Sequence, residues 1–219
     1  FHAIYWPAML MSVGAPLPKS LIVHGWWTIQ DKKISKSSPA TQVDPILLSD
    51  AIKSDGLRFF LMQGLTLGHD GNLSYEQLIH TVNVFLVNNV GNLLHRFSKM
   101  VHKYNEGAIP SVDDVPRGMI DPFLALSKQL HQQYLLHMDG FNPAGAIDAL
   151  MVFSSAINKY IEDYAPWTVA KDTARFNELM SFLSIIAEGL HWIAQYGMPF
   201  FPELSSKIQA QLHLTDQSC

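Results

Sequence analysis

Cysteine is almost absent from this 219-residue sequence: its one Cys is Cys219, at the last position. No internal disulfide framework and no cysteine-based zinc site can be built from it. Charge is also scarce, at 16% of residues, and nearly balanced, with 15 Lys+Arg against 19 Asp+Glu for a net charge of -4. Such a balance excludes a surface that coats nucleic acid indiscriminately and confines any such contact to a few well-placed cations. No stretch approaches the roughly 20 uncharged apolar residues of a membrane span, and no basic head with an apolar run resembles a signal peptide. A soluble protein with no membrane partner is expected. No repeat of fixed period is visible, which argues against a solenoid.

What the sequence does have is a hydrophobic share of 48%, enough for a packed core. The chain opens on Phe1 inside an apolar segment, so a piece of a longer protein is expected. The apolar run Leu21-Ile22-Val23-His24, bounded by Pro18 and Gly25, predicts one buried strand of an α/β sheet. A polar loop carrying Lys32, Lys33 and Lys36 follows, and Asp44-Pro45 supplies an N-cap and first helical residue for a helix with Ile46, Leu47, Leu48 and Ile52. A second helix is predicted over residues 55–63, before Gly64, Gly68 and Gly71 break the chain.

From Ser74 the periodicity is helical. Leu78, Val82, Phe85, Leu86, Val90, Leu93, Leu94, Phe97, Val101 and Tyr104 recur at threes and fours, predicting one long helix. Further helices are predicted over residues 120–138, 143–164, 173–196 and 203–212. The expected fold is therefore mainly α: an α/β part over residues 1–73, then an α-helical bundle over residues 74–219.

Lys33-Ile34-Ser35-Lys36-Ser37 is the strongest local signal. Two ammonium groups three residues apart on a serine-rich loop suit a polyphosphate, with hydroxyls and backbone N–H groups adding hydrogen bonds. On the long helix, Asn92 and Arg96 stand one turn apart on one face, with Asn88 and Asn89 a turn earlier. An amide and a guanidinium recognise splayed single-stranded bases, and Trp167 offers a stacking platform. The ten His residues give no persuasive metal spacing, His131 and His137 being six apart, and no catalytic triad or carboxylate pair stands out. Asp44, Asp55 and Asp70 read as cap and turn residues, and Glu162 as an ordinary helix charge.

The whole arrangement resembles the class I aminoacyl-tRNA synthetases, and among them the methionyl-tRNA synthetase family, whose Lys-Met-Ser-Lys-Ser loop follows a strand in the same way. Phe1-His2-Ala3-Ile4-Tyr5-Trp6-Pro7-Ala8 resembles the family's methionine-pocket segment. Asp55-Gly56-Leu57-Arg58-Phe59-Phe60-Leu61 resembles the helix after the loop, and Asp70-Gly71-Asn72-Leu73-Ser74 the entry to the bundle. Asn89-Val90-Gly91-Asn92-Leu93-Leu94-His95-Arg96 and Tyr164-Ala165-Pro166-Trp167 resemble its two anticodon-reading segments. The matches run in family order from Phe1 to about Pro202. Ile34 replaces the commoner Met, and Ser38-Pro39-Ala40-Thr41 stands where Leu-Gly-Asn is usual. The family's His-Ile-Gly-His-type motif and its zinc-bearing insertion are absent from this sequence.

The resemblance implies that residues 1–73 are the end of a Rossmann-like α/β core. It implies ATP-dependent activation of L-methionine and its transfer to tRNA(Met), with Mg2+ accompanying ATP and no zinc site in this chain. It implies catalytic roles for Lys33 and Lys36, and ATP binding by Lys33, Ser35, Lys36 and Ser37. It also implies methionine binding by Phe1, His2 and Trp6, and anticodon binding by Asn92, Arg96 and Trp167. The remainder of the catalytic domain is an implied partner, without which this stretch is expected to be inactive. The cytoplasm is the expected compartment, with the mitochondrial matrix as the alternative. Two competing readings stand beside it: a related synthetase for another apolar amino acid, and a non-catalytic tRNA-binding or scaffold module that kept the bundle.

Overall fold

The computed structural model describes residues 1–29, 32–34, 43–64, 66–110 and 115–212. Helix α1 (Tyr5–Ser12) precedes strands β1 (Trp27–Ile29) and β2 (Lys32–Lys33); then come α2 (Pro45–Gln63), strand β3 (Gly71–Asn72) and α3 (Tyr75–Thr81). A π-helical stretch (Val82–Gly91) joins α3 to α4 (Asn92–Asn105). Beyond it lie α5 (Arg117–Asp139), α6 (Pro143–Tyr164), the short α7 (Pro166–Val169), a 3₁₀ turn (Thr173–Arg175), α8 (Phe176–Gly197) and α9 (Pro202–Gln211). The fold is mainly α with a small sheet, as the sequence predicts.

Local chemistry sets most boundaries. Asp44 caps α2, its Oδ1 accepting from the backbone N–H groups of Ile46 (2.9 Å) and Leu47 (3.3 Å), with Pro45 pre-set for the first turn. Ser74 caps α3 by accepting from the N–H of Gln77, and Asn142 caps α6 by accepting from that of Gly145. Helix α6 ends where Ala165 turns left-handed at φ 50°, and Pro166 starts α7 from that corner.

Helices α6 and α8 form the centre of the bundle. Ile147, Leu150, Phe153, Ile157 and Ile161 of α6 are buried together with Phe182, Leu183, Ile186, Leu190 and Ile193 of α8. The long helix adds Val90, Leu93, Phe97 and Val101. A second, smaller core gathers Phe60, Leu73 and Leu78, with Trp27, Ile29 and Leu48 packed against it. Helix α2 serves both cores through adjacent side chains: Phe59 lies in the large one, against Phe85 and Phe201, while Phe60 lies in the small one, against Trp27.

Two differences from the sequence-based expectation stand out, beside one agreement. Residues 21–24 are not a buried strand: Leu21, Ile22 and Val23 are exposed, and only His24 makes a single bridge, to Leu67. An apolar run becomes a buried strand only where neighbours and covering layers exist, and the described residues supply neither for this one. The sheet forms instead in the order β2-β1-β3, with β1 antiparallel to β2 and parallel to β3. The two helices expected at residues 45–52 and 55–63 both form, as the two halves of α2 on either side of Lys53, whose backbone is not helical. The single long helix is continuous from Tyr75 to Asn105, but ten of its residues, Val82–Gly91, are wound as a π-helix.

Candidate functional site

Lys33 sits at the outer edge of the small sheet. Residue pairs Thr28 with Lys33 and Ile29 with Lys32 fix the register of β1 and β2, and the Lys33 Nζ lies 3.2 Å from the centroid of the Trp26 ring. The ring's negative face holds the ammonium there. Trp26 is itself pinned: its N–H donates to Asp70 Oδ1 at 2.7 Å, and its carbonyl accepts from the N–H of Gly71 at 2.8 Å. Gly25 allows this close approach, since a Cβ there would overlap the His69 carbonyl and the Asp70 carboxylate. Asp70, read from the sequence as a turn residue, thus positions the ring on which Lys33 rests. Ser35, Lys36 and Ser37 lie outside the described residues.

Phe1, His2 and Trp6 occupy the first turns around α1. Phe1 is 93% exposed and Trp6 42%, and α1 buries none of its residues. The Phe1 ring lies against that of Tyr5, centroids 5.4 Å apart. Among the described residues no hydrogen bond, ion pair or ring contact joins Phe1, His2 or Trp6 to Lys33.

The other candidates lie on α4 and at the α6–α7 corner. Asn92 is exposed on the first turn of α4, and Arg96, one turn on, donates from Nη1 to Glu162 Oε1 at 3.3 Å. Glu162 is near the end of α6, five residues before Trp167, so the ion pair brings the α4 face to the corner that carries the indole. Trp167 stands 50% exposed there while its neighbours Pro166 and Val169 are buried. Behind it Tyr164 stacks on Phe182 at 4.1 Å with nearly parallel rings. Burial pushes the Tyr164 hydroxyl well above the ordinary tyrosine range, with the Glu178 charge nearby adding to it. Arg175 grips Glu178 with two N–H donors, at 2.6 and 2.8 Å, and holds that carboxyl below its usual range. The corner is therefore packed on its protein side and leaves the indole half exposed on its outer side.

Asn89, which the sequence places beside Asn92 as a further polar residue of the same surface, turns inward. Its Nδ2 donates to Ser155 Oγ (2.9 Å), and its Oδ1 accepts from Ser154 Oγ (2.7 Å) and Asn158 Nδ2 (3.2 Å). The π-helical stretch delivers it: Gly91, where an added Cβ would lie 3.0 Å from the Leu86 carbonyl, permits the wide winding. No sequence signal announced this network, because its partners lie more than 60 residues away. Among the described residues there is no group of three or more His, Cys, Asp or Glu side chains arranged for a metal ion.

Residues 1–98 match a family model described as tRNA synthetases class I (M). The chain is 37% identical over 217 residues to a methionine–tRNA ligase of Oceanobacillus iheyensis, covering 99% of this chain and 32% of that protein. It is 37% identical to the enzyme of the same name from Rickettsia conorii, covering 97% of this chain and 42% of the relative. Among solved structures, free Mycobacterium tuberculosis methionyl-tRNA synthetase superposes with a TM-score of 0.79 at 29% identity, over 95% of this chain and 40% of that one. The complex of that enzyme with methionyl-adenylate superposes with a TM-score of 0.82 at 30% identity, over 94% and 41%. The chain thus spans about a third of the length of the first of these relatives.

Proposed function

We propose, for a chain homologous along its whole length to the methionyl-tRNA synthetases of class I, that it works as the lysine-loop and anticodon-reading part of a methionine–tRNA ligase. In that reaction a methionine carboxylate oxygen attacks the α-phosphorus of ATP, which arrives with Mg2+. The bond to the β-phosphate breaks, pyrophosphate leaves, and a tRNA ribose hydroxyl then displaces AMP from the adenylate. Chemistry of this type rests on positioning and on stabilising the charge that develops on the leaving group. Lys33 and Lys36 supply that charge, with Ser35 and Ser37 as hydroxyl donors to the phosphates. While ATP is absent Lys33 waits on the Trp26 face, an interaction of about 0.5–1 kcal/mol at an exposed site, weak enough to yield to a phosphate. Phe1, His2 and Trp6 contact the methionine side chain, whose soft thioether gains from aromatic neighbours.

The observation that supports the tRNA half of the reading is the Arg96–Glu162 pair, which ties the α4 face carrying Asn92 and Arg96 to the end of α6, from which the corner with the half-exposed Trp167 begins. An exposed ion pair of this kind is worth about 0–1 kcal/mol, so Arg96 can be drawn away by a base without large cost. Three side chains able to stack on and hydrogen-bond an unstacked base are what an anticodon loop requires. The compartment follows the proposed role: the cytoplasm, or the mitochondrial matrix.

Titration of the 219-residue chain with an RNA hairpin carrying the CAU anticodon, against a scrambled loop at fixed salt, tests this. Preference for CAU is expected, and Trp167→Ala should remove about 1–3 kcal/mol of it. Equal affinity for both loops would exclude anticodon reading. The methionine half is tested in the full-length protein by methionine-dependent pyrophosphate exchange.

A further inference from the structure

Helix α2 leaves the lysine loop, breaks once, and then docks on the far end of the bundle. At the break Lys53 has φ 66° and ψ 158°, a conformation natural to glycine and strained for any other residue. The three residues that make the docking contacts follow at once. Ser54 Oγ donates to Glu203 Oε1 at 2.6 Å, and Arg58 Nε donates to the Pro199 carbonyl at 2.5 Å. Between them Asp55, only 7% exposed, accepts from two backbone N–H groups: that of Glu203 on Oδ1 (3.1 Å) and that of Leu204 on Oδ2 (2.7 Å).

Asp55 is therefore the N-terminal cap of α9, supplied by a helix nearly 150 residues earlier in the chain. The local cap position holds Phe201, which has no acceptor in its side chain. A serine or aspartate at that position would satisfy the same N–H groups without tying two distant elements together. Taking the cap from α2 makes the tie. Its carboxylate also meets the positive end of the α9 dipole. One turn beyond Asp55, Phe59 packs on Phe201 and Phe60 on Trp27, and Trp27 belongs to the strand that pairs with the Lys33 strand. A continuous packed path thus runs from α9 through Asp55 and the two phenylalanines to the base of the lysine loop.

We infer that Asp55 is a positioning residue for methionine activation: by capping α9 it locks the second half of α2 to the bundle and so fixes the strand pair that carries Lys33, with Lys53 as the joint between the two halves of the helix. It touches no reactant. The inference rests on the reading that Lys33 and Lys36 serve pyrophosphate departure, and the experiment separates the two.

In the full-length protein that carries this sequence, with Cys219 removed, spin labels at exposed Lys32 and Lys207 report the distance between the loop base and α9. A narrow distribution is expected for the parent and a broad one for Asp55→Ala. The same variant should lose about tenfold in kcat of pyrophosphate exchange, with KM for methionine and affinity for the CAU hairpin changed less than twofold. Asp55→Asn, which keeps a carbonyl acceptor, should recover part of the rate. If Asp55→Ala does not fold, Ser54→Ala with Arg58→Gln removes the flanking contacts and should move both readouts in the same direction, by less. An unchanged distance distribution, or an unchanged kcat beside a broadened one, in a folded variant overturns the inference. Broadening in a protein whose parent shows no methionine-dependent exchange keeps the lock and overturns the functional reading instead.

Discussion

Single residues here divide by whether their partners are near in sequence. Asp44 caps its own helix, and the Asp-Pro pair that does so is visible in the sequence. Asp55 and Asp70 carry the same carboxylate, yet one caps α9 and the other holds Trp26 beneath Lys33. Nothing local separates the last two from ordinary turn residues. Lys36 belongs to this scale too, since its proposed work depends on charge at one atom. Lys36→Ala in the full-length protein should slow adenylate formation by about tenfold to a thousandfold while methionine affinity stays nearly constant, because the charge is needed mainly in the transition state. Rapid-quench measurement of pyrophosphate release reads it; an unchanged rate would return the loop to an ordinary solvated basic segment.

At the scale of elements, the apolar spacing that predicts one long helix is correct about continuity and silent about winding. A π-helix keeps the chain helical while rotating the faces on either side of it, so the threes and fours persist through Val82–Gly91. The rotation takes Asn89 into the α6 interface and leaves Asn92 outside. Asn89→Ala should destabilise the bundle by about 1–3 kcal/mol, since Ser154, Ser155 and Asn158 would lose a shared partner in a half-buried interface. Urea denaturation measures it, and a loss below a few tenths of a kcal/mol would mean that water replaces the amide freely. Helix α2 is predicted as two pieces, and its two halves do part at Lys53. Lys53→Gly should raise stability by relieving a strain of about 1–3 kcal/mol, offset in part by the roughly 0.5–1 kcal/mol that glycine costs through unfolded-state freedom. A lower melting temperature for Lys53→Gly would contradict the strained joint.

For the molecule as a whole, tyrosines at the seams between helices govern behaviour in alkali. Tyr134 of α5 is buried against α8, donating to the Tyr196 carbonyl at 3.1 Å, and its ring lies 4.5 Å from that of Tyr196. Burial, followed by repulsion from Tyr196, pushes its pKa up to about 12. Tyr160, Tyr164 and Tyr196 are raised as well, each first by burial. A raised folded-state pKa means that the native chain keeps a proton the unfolded chain has released. The stabilisation is present below the ordinary tyrosine range near 10 and is lost as pH climbs toward 12. Alkaline unfolding should therefore begin above about pH 10, and Tyr134→Phe should flatten the pH dependence in that window while costing about 0.5–1.5 kcal/mol at neutrality from the lost hydrogen bond. Circular dichroism across pH 9–12 checks both; an unaltered slope would show that Tyr134 is not among the titrating groups.

The sequence by itself determined most helices of the bundle and the cap of α2, and it marked the pair Lys33 and Lys36. Those properties are written in neighbours: periodic apolar positions, an acceptor before a proline, charges three residues apart. It singled out Asn92, Arg96 and Trp167 without showing that Glu162 would join α4 to the end of α6, and it read residues 21–24 as a buried strand because apolar content does not specify who covers it. Only the tertiary structure decided which of the equivalent polar groups face inward, which aspartate serves a distant helix, and where the backbone accepts strain. Those outcomes depend on contacts between residues tens to more than a hundred positions apart, where burying a polar group without a partner is costly and the choice of partner is set by packing rather than by local sequence.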